Sequence, residues 1–316
     1  MPFARERKGR QRMAIFSTSL LNLPALTAMA DGVEFYVTEC ENVVAPTSDG
    51  EPHAPFRACA VLVSFAKSDT DRAALRPLLT ALSFGLTTTG VSTGSEWLQK
   101  LPNVLSERLK AADHGSVFVV VYAGSGGESD AETVQSAADA IRQCFGTSLA
   151  ALLVVGDSTS CRQFDRVQGV TGFVTGARTT SVETARSMFL CLAMLLAPKT
   201  LNGIDFVDLR AVLGTATEPT VLADALWLRD VGGQLVFTTD ADASAVRSAD
   251  RILAVPLING PWGRSELRLF CAAVRAEAFN SDSTEFFAAD EAIAPYLLSG
   301  RVATVSILCL SGRGQF

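Results

Sequence analysis

Two stretches carry residue types whose spacing could do chemistry. The first is Ala123-Gly-Ser-Gly-Gly-Glu-Ser-Asp130, a glycine-rich segment after a Val/Phe-rich run and before an amphipathic one. A loop of this kind between a strand and a helix turns backbone N–H groups toward a phosphate, and glycine permits the close approach. Gly124, Ser125, Gly126 and Gly127 are the candidate contacts. Glu128, Asp130 and Glu132 follow at once. At an effective dielectric of about 20, one carboxylate about 4 Å from a phosphate charge costs on the order of 4 kcal/mol. Asp130 therefore reads first as the cap of the next helix, where the dipole favours an acid. The second stretch is Leu201-Asn-Gly-Ile-Asp-Phe-Val-Asp-Leu-Arg210. Asp205 and Asp208 share one face of a helical turn. Capping by Asn202 or Asp205 would explain an acid at either position equally well.

Other reactive types are poorly placed. Ser158, Ser160 and Cys161 follow an apolar run, but no histidine is near in sequence and no G-x-S-x-G elbow exists. They read as a polar loop. His53 and His114 are the only histidines, and none of the seven cysteines forms a C-x-x-C pair, so no metal site is expected. The odd, dispersed cysteines in apolar settings read as reduced, buried thiols of a cytoplasmic protein. Trp97, Trp227 and Trp262 read as core or interface residues.

The elements that must position these residues alternate between strand and helix. Gly32 to Thr38 reads as a strand, 44–56 as a loop, Ala58 to Phe65 as a buried strand and Leu75 to Leu82 as a helix. Gly85 to Gly94, with four threonines and a serine, reads as a loop. Trp97 to Ala112 has helical spacing. Ser116 to Tyr122 is almost wholly Val and Phe, as in a central parallel strand. A helix over Ala131 to Cys144 and a buried strand over Leu149 to Val155 complete an α/β pattern with a parallel sheet. Val182 to Ala197 is apolar nearly all round and predicts a helix buried between two layers. Beyond it, the pattern predicts helices at Phe206 to Leu213, Ala243 to Ala249 and Ser283 to Leu298. Strands are expected at Gln234 to Thr238, Glu266 to Val274 and Val302 to Leu310.

Composition bounds the function. Hydrophobic residues make up 48% and charged residues 19% of the 316, which excludes a disordered chain. No run of about 20 apolar residues is present to span a membrane. A net charge of −6 disfavours nucleic-acid binding by the body of the chain. Arg5, Arg7, Lys8, Arg10 and Arg12 make a basic tail suited to an acidic surface. With the apolar stretch from Ala14 to Ala30 it has the layout of a secretory signal, but Ser17, Thr18, Ser19, Asn22 and Pro24 interrupt the apolar middle. A solvated tail followed by a strand, loop and helix is the preferred reading.

Four stretches, in order, resemble the FtsZ/tubulin family of filament-forming GTPases. Gly32-Val-Glu-Phe-Tyr-Val-Thr-Glu39 resembles the family's second strand, GVEFIAVNTD. Asn103 to Val120 resembles the helix and strand leading to the tubulin signature. Ala123 to Asp130 stands where the family has AGMGGGTGTG, and Leu201 to Arg210 resembles LINVDFADVR. The resemblance implies an α/β, Rossmann-like parallel-sheet domain over 13–180 after a basic tail over 1–12. A central buried helix over 181–198 and a smaller α+β C-terminal domain over 199–316 would follow. It implies that Asp205 and Asp208 reach a neighbouring subunit's nucleotide site and position the attacking water there. It makes Gly90-Val-Ser-Thr-Gly94 the third phosphate loop, with Gly90 and Gly94 as contacts. The family's first loop, GGGGGN, is here Ser17-Thr-Ser-Leu-Leu-Asn22, whose leucines obstruct backbone approach to a nucleotide. The base-binding residues that open the family's central helix have no counterpart at Ser181 to Glu183.

The expectation is a cytoplasmic, FtsZ-like cytoskeletal or scaffold protein that assembles head-to-tail with itself or a related FtsZ-like protein. GTPase activity is expected to be weak or absent. No resident cofactor is expected, and GTP or GDP is the ligand class left open. Two alternatives stand: a genuine polymerising GTPase with divergent loops, and an exported α/β binding protein.

Overall fold

In a computed structural model of the chain, the described residues are 32–38, 40–43, 56–75, 86–93, 115–125, 131–156, 167–176, 180–195, 209, 213, 220–224, 226–231, 234–237, 243–244, 246–247, 249–254, 257–258, 264–278, 285–288, 292–293, 303–305 and 307–310. Its centre is built from five strands: β3 (Phe56–Ser64), β5 (Gly115–Tyr122), β6 (Leu149–Gly156), β7 (Gly172–Gly176) and β8 (Thr220–Asp224). Each pairs in parallel with the next. The near-continuous Val, Leu and Phe of β5 and β6 follow from burial on both faces. Phe118, Val120 and Tyr122 point to one core cluster, and Val117, Val119 and Val121 to the other. The expected α/β parallel sheet is thus observed.

The sheet continues on both sides of these strands. Beyond β3 come β1 (Gly32–Thr38) and then β4 (Leu86–Thr93), both antiparallel to their neighbours, while β2 (Cys40–Val43) also pairs with β3. The segment that resembles the family's second strand therefore joins the sheet antiparallel, unlike a strand of an all-parallel Rossmann half. Beyond β8 come β16 (Ile307–Leu310), β11 (Ala249–Ala254) and β13 (Glu285–Ala288). Strands from the second half of the chain so extend the sheet begun by the first. Smaller pairings join β9 (Leu226–Val231) to β10 (Gln234–Phe237) and β15 (Ala303–Val305), and β12 (Leu257–Ile258) to β14 (Ala292–Ile293).

Helices cover both faces. Helix α1 (Asp69–Leu75) and helix α3 (Ser181–Leu195) pack on one, and α2 (Ala131–Phe145) on the other. A 3-10 turn, Gly146–Ser148, joins α2 to β6. Helix α3 contacts β3, β5, β6, β7, β8 and α1. From 181 to 192 every residue but Glu183 and Arg186 is buried, as its all-round apolar surface requires. Each fully buried Met, Phe or Leu there contributes about 1.5–3 kcal/mol.

Three expectations are corrected. Leu86–Thr93, within the expected loop, is a strand, because Thr and Val are β-branched and suit a pleated edge. Glu266 to Val274 is helical, within α4 (Arg264–Ala278). Phe270 and Val274, one turn apart, are buried and Leu269 is exposed, the periodicity of a helix and not of a strand. Glu285–Ala288, inside the expected helix at Ser283 to Leu298, is a strand set by parallel pairing of Phe286 and Phe287 with Ile252 and Leu253 of β11.

Candidate functional site at the carboxyl ends of β3 and β5

Ligands of open α/β sheets bind outside the carboxyl ends of the strands, where successive connections diverge to opposite faces. That place is fixed here by topology. From β3 the chain turns to α1 on one face; from neighbouring β5 it turns to α2 on the other. The loop Phe65 to Ser68 and the segment Ala123 to Ser125 flank the resulting crevice.

Several of its described backbone donors are engaged within the protein. Phe65 N donates to the Tyr122 carbonyl (2.9 Å) and Ala123 N to the Val155 carbonyl (3.3 Å). Ala66 N donates to Ser64 Oγ (3.3 Å). Ser68 caps α1: its Oγ accepts from Thr70 N (3.2 Å), and its carbonyl from Arg72 N (3.1 Å).

Beneath the crevice lies a buried polar cluster. Tyr122 ends the apolar run of β5, and its ring is fully buried. Its hydroxyl donates to Asp71 Oδ2 at 2.6 Å and lies 3.4 Å from Ser181 Oγ, the first residue of α3. Burial above all, then the hydrogen bond to Asp71, pushes the Tyr122 phenol far above its ordinary range; Ser181 and Ser125 offset this in part. Arg72 is also buried, and its Nε donates back to the Ala66 carbonyl (3.0 Å), with Asp69 3.8 Å away. The one arginine of this loop and helix so faces its own chain.

The start of α3 is equally self-satisfied. Thr180 N donates to Glu183 Oε2 (3.2 Å), and Glu183 N donates to Thr180 Oγ1 (3.4 Å). This is a reciprocal capping box. Further along α3, Arg186 donates to the Ala74 carbonyl of α1 (2.9 Å), while its buried Nε has no partner among the described residues. Burial lowers the Arg186 pKa, and Glu183 acts against that.

The sequence-derived candidates are distributed as follows. Gly124 and Ser125 do stand at the crevice, and Gly124 is buried with φ of 88°, a conformation open to glycine. Gly126, Gly127, Glu128, Asp130, Gly94, Asp205 and Asp208 lie outside the described residues, as do Ser17 to Asn22; Leu209 and Leu213 are helical and buried. Glu132 is exposed. Gly90 is in no phosphate loop. Glu34 and Tyr36 of β1 pair with Val91 and Thr88, so Thr89 and Gly90 together oppose Phe35 in a β-bulge. Phe65 to Ser68 follows β3 beside the end of β5, and it was assigned no part in a site from sequence. Its signal was a serine followed by Asp69 and Asp71 directly after a buried strand, an N-cap with an acidic first turn.

Cys59 and Cys191 are buried as expected, but Cys144 is exposed. Burial raises the thiol pKa of Cys144 and Cys271. Among the described residues no group of three or more His, Cys, Asp or Glu could hold a metal, and no helix is long and apolar enough to cross a membrane.

Fold and site together define an α/β protein with a parallel-centred sheet and a buried polar cluster at the ends of β3 and β5. No family model matches the chain, and no curated protein matches it in sequence. Among solved structures it is similar to an empty FtsZ dimer from M. jannaschii, at 11% identity and a TM-score of 0.44, over 68% of each chain. It is also similar to a tryptophan-to-tyrosine mutant of FtsZ from M. jannaschii, at 12% identity and a TM-score of 0.42, over 69% of this chain and 71% of that one.

Proposed function

We propose that this chain is a divergent FtsZ/tubulin-like scaffold protein, acting by self-assembly or by association with a filament of a related protein, without dependence on a guanine nucleotide. The four ordered sequence stretches support the family part of this reading. The observation that carries the nucleotide part is the engagement of backbone N–H groups at the crevice: Phe65, Ala66, Thr70 and Ala123 all donate internally. A phosphate cradle needs such donors free and convergent. Arg72 is engaged at the Ala66 carbonyl, and Asp71 adds a carboxylate at Tyr122, an arrangement unfavourable to an anion. In this reading Asp205 and Asp208 form a face offered to a neighbouring subunit.

Equilibrium binding of GTP and GDP to nucleotide-stripped protein, with and without magnesium, tests it, alongside light scattering and electron microscopy of assemblies. The expected result is no binding up to millimolar nucleotide, with assembly or partner capture unchanged by nucleotide. Micromolar binding would overturn the reading in favour of a true GTPase. Gly124 is the feature on which that second reading rests, since its positive φ and burial are what a phosphate loop requires.

A further inference from the structure

Helix α1 is attached to the fold in an unusual way. Its seven residues contribute one fully buried apolar side chain, Leu75, with Ala74 partly buried. By contrast α2 inserts Val134, Ala137, Ala138 and Ile141. The other groups that α1 buries are polar, Asp71 and Arg72. One end is held by the Tyr122–Asp71 hydrogen bond, and the other by the hydrogen bond from Arg186 to the Ala74 carbonyl. Segments with few buried apolar contacts open locally, well below the free energy of global unfolding.

The Arg186 tie also carries an internal cost. While Arg186 reaches Ala74, its Nε is buried without an acceptor among the described residues. Glu183 lies one turn earlier on α3, engaged at Thr180 N. An i,i+3 pair with Glu183 is open to Arg186 once α1 leaves.

We infer that α1 is a strap closing the crevice at the ends of β3 and β5, latched at Tyr122–Asp71 and at Arg186–Ala74, and that it opens as a unit while the sheet stays folded. Opening uncovers the Tyr122 hydroxyl and Ser181 Oγ below Gly124 and Ser125. The inference does not depend on the assembly reading above.

Hydrogen–deuterium exchange by mass spectrometry on the full chain tests it. In wild-type protein, exchange of peptides covering 66–75 is expected to depend weakly on sub-denaturing urea, and that of β5 and β6 strongly. Tyr122→Phe is expected to speed exchange over 66–75 about 10- to 100-fold, the range for a lost hydrogen bond to a charged group, while the urea dependence of those peptides stays weak and that of β6 strong. Arg186→Met is expected to act on the same peptides. Equal urea dependence of α1 and β5 in the wild type would overturn the strap, a result that needs no variant to fold. So would an unchanged rate over 66–75 in both variants.

Discussion

The Tyr122 phenol gives the protein an alkaline weakness whose size can be worked out in advance. In the folded state its pKa lies far above the ordinary value, through burial first and Asp71 second. In the unfolded chain it titrates near the model value of about 10. Above that pH the unfolded state has lost a proton that the folded state still holds. The stabilisation is therefore complete below about pH 10 and falls as pH rises, by about 1.4 kcal/mol per unit, until the folded pKa is reached. At about pH 9 the wild type should exceed Tyr122→Phe by about 1.5–3 kcal/mol, because the variant leaves the buried Asp71 carboxylate without its donor. At about pH 11 that gap should shrink by about 1.4 kcal/mol. Urea unfolding followed by tryptophan fluorescence at constant ionic strength reads the gap. Cys144 and Cys271, whose thiols are also raised, titrate in both proteins and cancel in the difference. Absorbance titration gives an independent reading, since the chain has three tyrosines. The Tyr122 phenol should stay protonated until the protein unfolds, and its late step should be missing in Tyr122→Phe. A gap independent of pH, or three phenols titrating together near pH 10 in folded protein, would refute the account.

Other consequences can be measured with single substitutions. Glu183→Ala and Thr180→Ala should each cost about 1 kcal/mol in urea unfolding, and the double variant less than the sum, because both break one capping box. Gly169→Ala should destabilise by about 1–2 kcal/mol, since φ of 76° strains an L side chain and the new Cβ would meet the Arg142 guanidinium. Gly169→Asn, which tolerates that φ better, should cost no more than Gly169→Ala despite its bulk if the backbone strain dominates, because half-exposed Arg142 can swing aside. Phe189→Ala should cost about 3–5 kcal/mol in the same assay, as its ring is fully buried on α3.

What the sequence made legible were the places where one residue type dominates. β3, β5 and β6 read as strands because burial on both faces leaves almost continuous apolar runs, and α3 read as a buried helix for the same reason. Edges carry no such excess. β4 is neutral and threonine-rich, and its strand state depends on pairing with β1, a contact far away in sequence. β13 depends likewise on β11. At the site, Gly124 and Ser125 were legible through glycine chemistry. Phe65 to Ser68 was not, since nothing local says that β3, rather than an earlier segment, lies beside β5. The Tyr122–Asp71 bond was equally out of reach, although a tyrosine closing an apolar strand run does announce a hydroxyl that needs a partner.

Several backbone donors at the ends of β3 and β5 are engaged within the protein, and this bears on how stability should respond to ligand. A ligand that binds only the folded state adds RT ln(1 + [L]/Kd). At about 1 mM GTP and a micromolar Kd, that is about 4 kcal/mol, enough to move the melting temperature by on the order of 10 °C in a protein of this size. Under the proposed nucleotide-independent reading no such increment arises, since phosphate would have to displace the bonds at Ala66 and Thr70 and pass beside Asp71. Thermal unfolding with and without GTP should therefore coincide. Asp71→Asn should leave them coincident, since it removes a charge and keeps an acceptor for Tyr122. A shift that appears only in Asp71→Asn would mean that the carboxylate alone keeps a working phosphate loop closed. A shift in the wild type would mean that the donors bonded internally in this structure exchange those bonds for phosphate at little cost.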